Sequence, residues 1–357
     1  MKELEQLQTL INSLITKGAF PSANYVIVTH NHTYYGSLGN KSLLPTKEAN
    51  DIDTLYDMAS LTKVIATTTC IFKLMEEGKL RTASKVSDYL PRFIHKNVTI
   101  WNLLTHTSGL SEGLSGLFSL KTEEDIYNKL FSMPLVYETN TQIRYSDLGY
   151  VLLGLIIEKI ENKKLDEVVK EKVLIPLNML DSTYNPKDHK RCAPTELRND
   201  TLYQGIVRGF VHDEMSYLLN GVAGHAGLFS TIKDMSHFIQ MVLNDGKYNN
   251  HQFLSKSTID LMFTPQVHEH KGVKLNETIR GLGWLIGGFA SSSGDLTSPN
   301  TIHHTGFTGT NIWIDRTNQI GFCLLSNRVH PTRNTTLHIE ARAQIANFIM
   351  ANCEKFK

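Results

Sequence analysis

The sequence predicts an α+β fold, in which an antiparallel β-sheet flanked by the N- and C-terminal helices carries an inserted, mainly helical subdomain. Two strand-like runs near the start, residues 24–30 and 33–38, are predicted to form one hairpin, and two near the end, residues 311–315 and 320–326, another. The stretch between them, roughly residues 65–285, shows mostly helical periodicity and loops. The first and last segments would therefore pair in one sheet, with the middle inserted into it.

The helices follow from apolar spacing and stop signals. An amphipathic helix is predicted near the N-terminus, and a helix beginning near Ser60 is predicted to end before Gly78. A buried helix is expected after Asp147, a capped helix after residues 230–234 and a C-terminal helix over about 336–351. The apolar positions behind the first two are Leu4, Leu7, Leu10, Ile11 and Leu14, then Leu61, Val64, Ile65, Ile71, Leu74 and Met75.

These elements predict a single domain over residues 1–357. Residues 1–64 and 286–357 would form its sheet part, and residues 65–285 its helical insert. A chain of this length, 41% hydrophobic, can bury a large core. Ser60 would lie where the two parts meet, which is a usual place for a cleft.

Charge and cysteine content narrow the class of function. The chain has 36 basic and 35 acidic residues, a net charge of +1, so nothing favours nucleic acid as a partner. Four widely spaced cysteines predict free thiols in a reducing compartment. The N-terminus carries acids where a signal peptide carries bases, and no apolar run is long enough to span a membrane, so we expect a cytoplasmic protein. The expected partner is a small-molecule or peptide substrate, and the sequence indicates no oligomeric state.

Ser60 and Lys63 place an alcohol and an amine three residues apart at the start of a predicted helix. Both side chains would share one face, and the unpaired N–H groups at the helix start would favour negative charge near the Ser60 oxygen. A serine nucleophile needs an adjacent base, and a partly buried lysine that has lost its proton can supply one. The alternative is a chance pattern in which Ser60 caps the helix and Lys63 is solvated.

Two further motifs bear on that choice. Tyr145 and Asp147 lie on the loop that enters the buried helix, where a phenol can share a proton with a lysine and a short polar side chain can bind a substrate amide. The alternatives are a half-buried aromatic residue and an N-cap. His304, Thr305 and Gly306 precede a strand, where the glycine would let a substrate backbone approach and the other two offer hydrogen bonds. The alternative is an edge strand that ends in a glycine-rich turn.

Together, and in this order, the three motifs resemble the serine β-lactamase and penicillin-binding-protein superfamily, particularly its class C β-lactamase-like branch. The resemblance implies a β-lactamase/transpeptidase-like fold and a serine hydrolase that works through an acyl-enzyme without a cofactor. It covers roughly residues 20–350. Further stretches similar to that branch are Leu103 to Leu110, Gly224 to Thr231 and Gly281 to Trp284.

Carried over to the matching positions, the resemblance implies that Ser60 attacks a carbonyl while Lys63 and Tyr145 handle its proton. Water would then release the acyl group. The backbone N–H groups of Ser60 and Phe307 would form the oxyanion hole.

Two residues depart from the β-lactamase pattern. Asp147 stands where β-lactamases typically carry Asn, so an amide donor becomes a carboxylate, which accepts but does not donate when ionised. His304 replaces the usual lysine and is only partly charged at neutral pH, which weakens the grip on a substrate carboxylate. Both differences point away from an antibiotic-resistance enzyme, and esterases and amidases of the branch often carry the histidine.

A finer resemblance, to the N-acetylmuramyl-L-alanine amidases of the branch, rests on residues 211–214 and 221–227 together with residues 145–147. It implies that His225 lines the substrate pocket together with His212, Asp213 and Glu214. The alternatives are loop hydrogen bonding for the last three and a structural turn for His225. No H-E-x-x-H or paired C-x-x-C pattern accompanies the fifteen histidines, so no metal site is predicted.

We therefore expect a serine hydrolase that cleaves an amide or ester through a Ser60 acyl-enzyme, with a small cell-wall-derived peptide or muropeptide as substrate. A carboxylesterase or a D-alanyl-D-alanine carboxypeptidase is the nearer alternative. A sensor that binds penicillin or peptide without turnover is a second class.

Overall fold

The structure, a computed structural model, describes residues 1–269, 278–287 and 291–357. Its strands are β1 (Ser22–Thr29), β2 (Thr33–Ser42), β3 (Glu48–Ala49), β4 (Tyr56–Asp57), β5 (Thr183–Tyr184), β6 (Leu197–Asn199), β7 (Gln204–Ile206), β8 (Leu228–Ser230), β9 (Lys247–Tyr248), β10 (His251–Gln252), β11 (Val267–Glu269), β12 (Thr278–Arg280), β13 (Leu285–Ile286), β14 (Thr301–Thr305), β15 (Asn311–Asp315) and β16 (Ile320–Ser326). The main sheet follows the order β11-β12-β13-β14-β15-β16-β1-β2-β3.

The α-helices are α1 (Lys2–Thr16), α2 (Thr69–Glu76), α3 (Val86–Tyr89), α4 (Ile100–Thr105), α5 (Glu123–Ser132), α6 (Asp147–Glu161), α7 (Leu165–Val169), α8 (Glu214–Leu218), α9 (Ile232–Leu243), α10 (Lys256–Met262), α11 (Leu337–Ala351) and α12 (Cys353–Phe356). Shorter helical turns are π-helical at Lys63–Thr68 and Lys170–Leu174, and 3₁₀ at Leu117–Ser119 and His189–Arg191. No helix in the described ranges is long and apolar enough to cross a membrane.

The two ends of the chain meet in the main sheet, as predicted. β1 pairs antiparallel with β16, so that Ala23 lies opposite Ser326 and Thr29 opposite Ile320. Both predicted hairpins are present, with β2 extending to Ser42. The predicted α+β fold with an antiparallel sheet is therefore confirmed.

Helices cover both faces of the sheet, which explains why every residue of β1 is buried. Tyr25 and Ile27 face a core formed with α1 and α11. Val26 and Val28, which point the other way, belong to the large second core that includes α9. Alternate side chains of β1 thus pack into two separate hydrophobic cores, one on each face of the sheet.

The second part of the main sheet begins earlier in the chain than residue 286, where it was predicted to begin, because β11, β12 and the start of β13 precede that residue and still belong to the sheet. Each has only two or three residues, which is too short for an alternating pattern to be visible in the sequence. The proposed division into residues 1–64 plus 286–357 and residues 65–285 stays a prediction.

The helix that follows Ser60 also differs in detail from the regular helix expected. A π-helical turn occupies Lys63–Thr68 before α2 continues to Glu76. Gly78, in a left-handed conformation with φ 69°, then terminates the helix, as the sequence indicated. π-Helical turns are often found at functional sites.

Candidate active site

A strained turn between β4 and the following helix presents Ser60. Ala59 has φ 46°, a left-handed conformation uncommon for a residue with a side chain. The buried Asp57 carboxylate accepts a 2.8 Å hydrogen bond from the Ala59 N–H. Thr310 donates to the Met58 carbonyl oxygen at 3.0 Å. These contacts fix the turn, so that the half-buried Ser60 hydroxyl lies at the N-terminal end of the helix.

Lys63 lies one turn further along, with its side chain fully buried. Its ammonium contacts Ser60 Oγ at 2.9 Å, the His225 carbonyl oxygen at 3.0 Å and an Asp147 carboxylate oxygen at 2.7 Å. Burial alone would lower the pKa of Lys63, but the Asp147 carboxylate raises it above its ordinary value. Lys63 is therefore a protonated donor in the resting site.

Tyr145 makes the second contact to the serine oxygen. Its hydroxyl donates to Ser60 Oγ at 2.8 Å, and its ring centroid lies 4.9 Å from the Lys63 ammonium. The His106 ring stacks on it with 4.7 Å between centroids, and His106 Nδ1 accepts a 3.0 Å hydrogen bond from the Ser146 N–H. Burial raises the pKa of Tyr145, and Lys63 opposes that rise. The phenol is thus neutral at rest and lies beside a cation that would stabilise its anion.

His304, at the end of β14, is buried and closer to neutral than the sequence suggested. Burial, with the Lys63 and Arg280 cations nearby, lowers the pKa of His304 well below its ordinary value. Its Nδ1 lies 2.9 Å from the Thr305 carbonyl oxygen, which can only accept, so the proton is on Nδ1. The expectation of a partly charged side chain was therefore wrong, because the imidazole is desolvated beside two cations.

Close packing against neighbouring residues requires a glycine at position 306. A Cβ at this position would lie 2.1 Å from Thr310 Oγ1 and 2.6 Å from the Met58 carbonyl oxygen. The end of β14 can therefore approach the turn before Ser60 only if residue 306 has no side chain. This close packing sets the neighbouring Phe307 beside the serine turn.

Phe307 combines an exposed ring with an uncommitted backbone donor. Its side chain is 49% exposed, with the His212 ring stacked at 5.6 Å between centroids and the Arg328 guanidinium 4.4 Å from the ring centroid. The N–H groups of Phe307 and Ser60 donate to no residue in the described part of the chain. Both are therefore available to a ligand oxygen.

Asp147 and His225 have partners within the protein. Asp147 is the first residue of α6, but the cap is Ser146, whose Oγ accepts from the Gly149 N–H at 3.4 Å. His225 is buried, and its Nε2 lies 2.7 Å from the Asp213 carboxylate. Burial would raise the pKa of Asp213, but His225 lowers it below its ordinary value.

Asp147, Asp213 and His225 each bring one possible metal-ligand atom within 4.8 Å of the others. The Lys63 ammonium lies 2.7 Å from Asp147 and already supplies a positive charge there. The donor set therefore fits the lysine ammonium better than a metal ion. Sequence spacing gave no sign of this cluster, since its members come from three separate segments of the chain.

Ser60 lies between two cavities of opposite charge. The smaller, about 280 Å³, is lined by the carboxylates of Asp147, Asp213 and Glu214 and by one guanidinium group, that of Arg333. The larger, about 580 Å³, is lined by the guanidinium groups of Arg280, Arg328 and Arg342. Arg280 was not among the predicted site residues, and the available signal was its position directly before the Gly281 to Trp284 stretch.

Comparisons with known proteins agree with the motifs. The profile of the family described as Beta-lactamase matches residues 7–347. The chain is 31% identical to the "Putative D-alanyl-D-alanine carboxypeptidase" of Escherichia coli strain K12, over 98% of this chain and 88% of that protein. It is also 31% identical to the "N-acetylmuramyl-L-alanine amidase" of Bacillus subtilis strain 168, over 92% of this chain and 82% of that protein.

Solved structures share the fold. EstCE1, "a hydrolase with promiscuous acyltransferase activity", superimposes with a TM-score of 0.78 at 19% identity, covering 98% of both chains. A class C beta-lactamase superimposes with a TM-score of 0.77 at 20% identity, covering 97% of this chain and 96% of that one. The family profile spans nearly the whole chain, and two relatives exceed 30% identity over most of their length. The chain therefore belongs to the Beta-lactamase family.

Proposed function

We propose that this protein is a serine hydrolase that cleaves an amide or ester through an acyl-enzyme on Ser60, and that its substrate is a small cell-wall-derived peptide or muropeptide. One observation carries the proposal: Ser60 Oγ lies 2.9 Å from Lys63 Nζ and 2.8 Å from the Tyr145 hydroxyl. The backbone N–H groups of Ser60 and Phe307 donate to no described residue, and both residues line the same cavity. A nucleophile with proton-transfer partners and oxyanion donors is the equipment that acyl transfer requires.

Attack by Ser60 requires an acceptor for its proton, and the resting site contains two donors. The Lys63 and Tyr145 pair must therefore lose one proton first. We assign that loss to Tyr145, because Asp147 stabilises the charge on Lys63 and the ammonium stabilises a phenolate. Tyr145 then accepts the serine proton as general base.

The rest of the cycle returns every group to its starting state. As the Ser60 oxygen bonds to the carbonyl carbon, the carbonyl oxygen becomes negative between the N–H groups of Ser60 and Phe307. Tyr145 gives its proton to the leaving amine or alcohol, and an ester to Ser60 remains. A water molecule then attacks this ester, Tyr145 takes a proton from the water, and that proton returns to the serine oxygen as the acid departs.

The names of the relatives suggest two substrate types. The Escherichia coli relative is named a carboxypeptidase and the Bacillus subtilis relative an amidase, both at 31% identity. An N-acetylmuramyl-L-alanine compound and a peptide ending in D-alanyl-D-alanine are therefore the first substrates to offer. The four free, buried cysteines fit a reducing compartment, so we place the reaction in the cytoplasm.

The test is covalent labelling followed by turnover. Separate samples of the protein are incubated with a fluorophosphonate or with a fluorescent penicillin and their intact masses are read, while unlabelled protein is offered a p-nitrophenyl ester. Ser60→Ala should lose the adduct and the turnover, whereas Ser115→Ala, at an exposed serine, should keep both. Labelling that persists in Ser60→Ala would contradict the proposal, and a Ser60–penicillin adduct that is never released, with no ester hydrolysis by the unlabelled protein, would favour a sensor.

Substrate identity follows from product masses. The amidase assignment predicts a free sugar acid and a free peptide from the muramyl compound. The carboxypeptidase assignment predicts free D-alanine from the D-alanyl-D-alanine peptide. A protein that cleaves p-nitrophenyl esters but neither peptide substrate would instead be a carboxylesterase.

A further inference from the structure

Arg280, the last residue of β12, is a buried cation. Burial lowers the pKa of Arg280 below its ordinary value, and Glu269 on the neighbouring strand β11 is among the groups that oppose this shift. The side chain of Arg280 is only 7% exposed, and its Nε and Nη1 atoms have no hydrogen-bond partner among the residues that the structure describes. It forms no ion pair with any residue in the described ranges, and its guanidinium lies 5.7 Å from the Tyr145 ring centroid. A buried charge without a directly paired anion is costly, and no described carboxylate pairs directly with Arg280, so the fold retains this arginine at the expense of stability.

The cavity that Arg280 lines also contains Ser60 and further cationic groups. Arg342 donates to the Gly306 and Thr310 carbonyl oxygens at 3.0 Å, and its Nε has no partner. Burial lowers the pKa of Arg342 to about 9, so it stays charged at neutral pH. The cavity is the arginine pocket, defined by Arg280, Arg328, Arg342 and His338.

The acids of the site lie elsewhere. No Asp or Glu from the described part of the chain lines the arginine pocket, whereas three carboxylates line the cavity on the other side of Ser60. Arg328 is partly committed, since its Nε donates to the Phe307 carbonyl oxygen at 2.7 Å. Arg280 therefore has the most uncommitted donors of the three arginines and lies beside the phenol that contacts the nucleophile.

We propose that the arginine pocket binds a segment of the substrate that carries two or more carboxylates, and that Arg280 is the residue that selects for it. The inference rests on the proposed function and narrows its substrate class to acidic peptides. His304 donates its one ring proton to the Thr305 carbonyl oxygen, so it offers no cation at the site. Three guanidinium groups and a volume of about 580 Å³ exceed what one carboxylate needs, because a guanidinium matches a carboxylate one to one.

Binding can be tested without catalysis. In the Ser60→Ala protein, isothermal titration with tricarballylate, acetate and inorganic phosphate compares several carboxylates, one carboxylate and a phosphate. We expect tricarballylate to bind at least about ten-fold more tightly than either of the others. Equal affinity for acetate would overturn the requirement for several carboxylates, and equal affinity for phosphate would overturn the carboxylate assignment.

Substitution then tests the residue. Arg280→Met should weaken tricarballylate binding by about ten-fold or more, and Arg280→Lys, which keeps a cation, should weaken it less. The matched control is Arg92→Met, which removes the same charge from a side chain that is 54% exposed and paired with Glu124. Thermal unfolding of each variant checks the fold. Unchanged affinity in folded Arg280→Met would overturn the proposal.

A competition assay separates this inference from the proposed function. In the protein with Ser60 intact, tricarballylate should inhibit hydrolysis of a neutral p-nitrophenyl ester, and Arg280→Met should raise its inhibition constant by a similar factor. Tricarballylate binding without any ester turnover would refute the hydrolase proposal and support the proposed role of the arginine pocket. Ester turnover that tricarballylate does not inhibit would refute the proposed role of the arginine pocket and support the hydrolase proposal.

Discussion

Gly306→Ala tests whether the close packing of β14 against the serine turn builds the oxyanion hole. The new Cβ would lie 2.6 Å from the Met58 carbonyl oxygen, whereas such a contact is comfortable at about 3.5 Å. Met58 belongs to the strained backbone before Ser60, which is held in place by its hydrogen bonds. The end of β14 must therefore move away from it by roughly 0.9 Å. Phe307, the next residue, would move with it.

The size of the effect follows from that displacement. A misplacement of about 1 Å at a reacting group, or loss of one oxyanion donor, costs roughly 10²-fold in rate. We expect Gly306→Ala to lower kcat for a p-nitrophenyl ester, and the rate of fluorophosphonate labelling, by that factor with a smaller change in KM. Crowding should also lower the free energy of unfolding by about 1–3 kcal/mol.

Gly113→Ala is the matched control, because a Cβ there meets no atom within 4 Å. It should keep the parent rates and the parent melting temperature. The reasoning fails if Gly306→Ala reacts within two-fold of the parent, or if it loses activity only in proportion to the unfolded fraction seen by circular dichroism.

Three further variants test the charges. Tyr145→Phe should lower kcat by about 10²-fold or more if Tyr145 moves the serine proton, and an unchanged kcat would exclude that role. Asp147 raises the pKa of both Lys63 and Tyr145, so Asp147→Asn should move both limbs of the pH profile of kcat/KM to lower pH, and limbs that stay in place or rise would refute the pairing. Burial raises the pKa of Glu196, but bonds from His212 and Arg333 lower it to about 2. Its stabilisation is present above the unfolded value, about pH 4.3, and lost as pH falls towards 2. Glu196→Gln should therefore lower stability by roughly 2 kcal/mol at pH 7 and reduce the dependence of the melting temperature on pH between 4.3 and 2, whereas an unchanged melting curve would contradict this account.

Local patterns in the sequence predicted much of the fold. The hairpin of β15 and β16 has the predicted bounds, because alternating β-branched and aromatic residues fit a buried pleated strand. The order of the three motifs and their places at element ends indicated the family. Short strands such as β13, with two residues, could not be predicted, because tertiary pairing rather than local preference forms them.

The sequence predicted a group of site residues, but not which other residues each of them contacts. Spacing along one helix is enough to place Ser60 and Lys63 on the same face. It says nothing of Asp147, which lies 2.7 Å from Lys63 and sets its charge, nor of Arg280, which precedes the family stretch and faces Ser60 across a cavity.

The sequence by itself thus determined the family and most of the longer elements, and it predicted the nucleophile, because these depend on residue types and short-range spacing. Only the tertiary structure decided the protonation states and the division of the site into acidic and basic cavities. Those properties depend on desolvation and on distances between groups far apart in the chain, as with His304, which is neutral because it is buried beside Lys63 and Arg280.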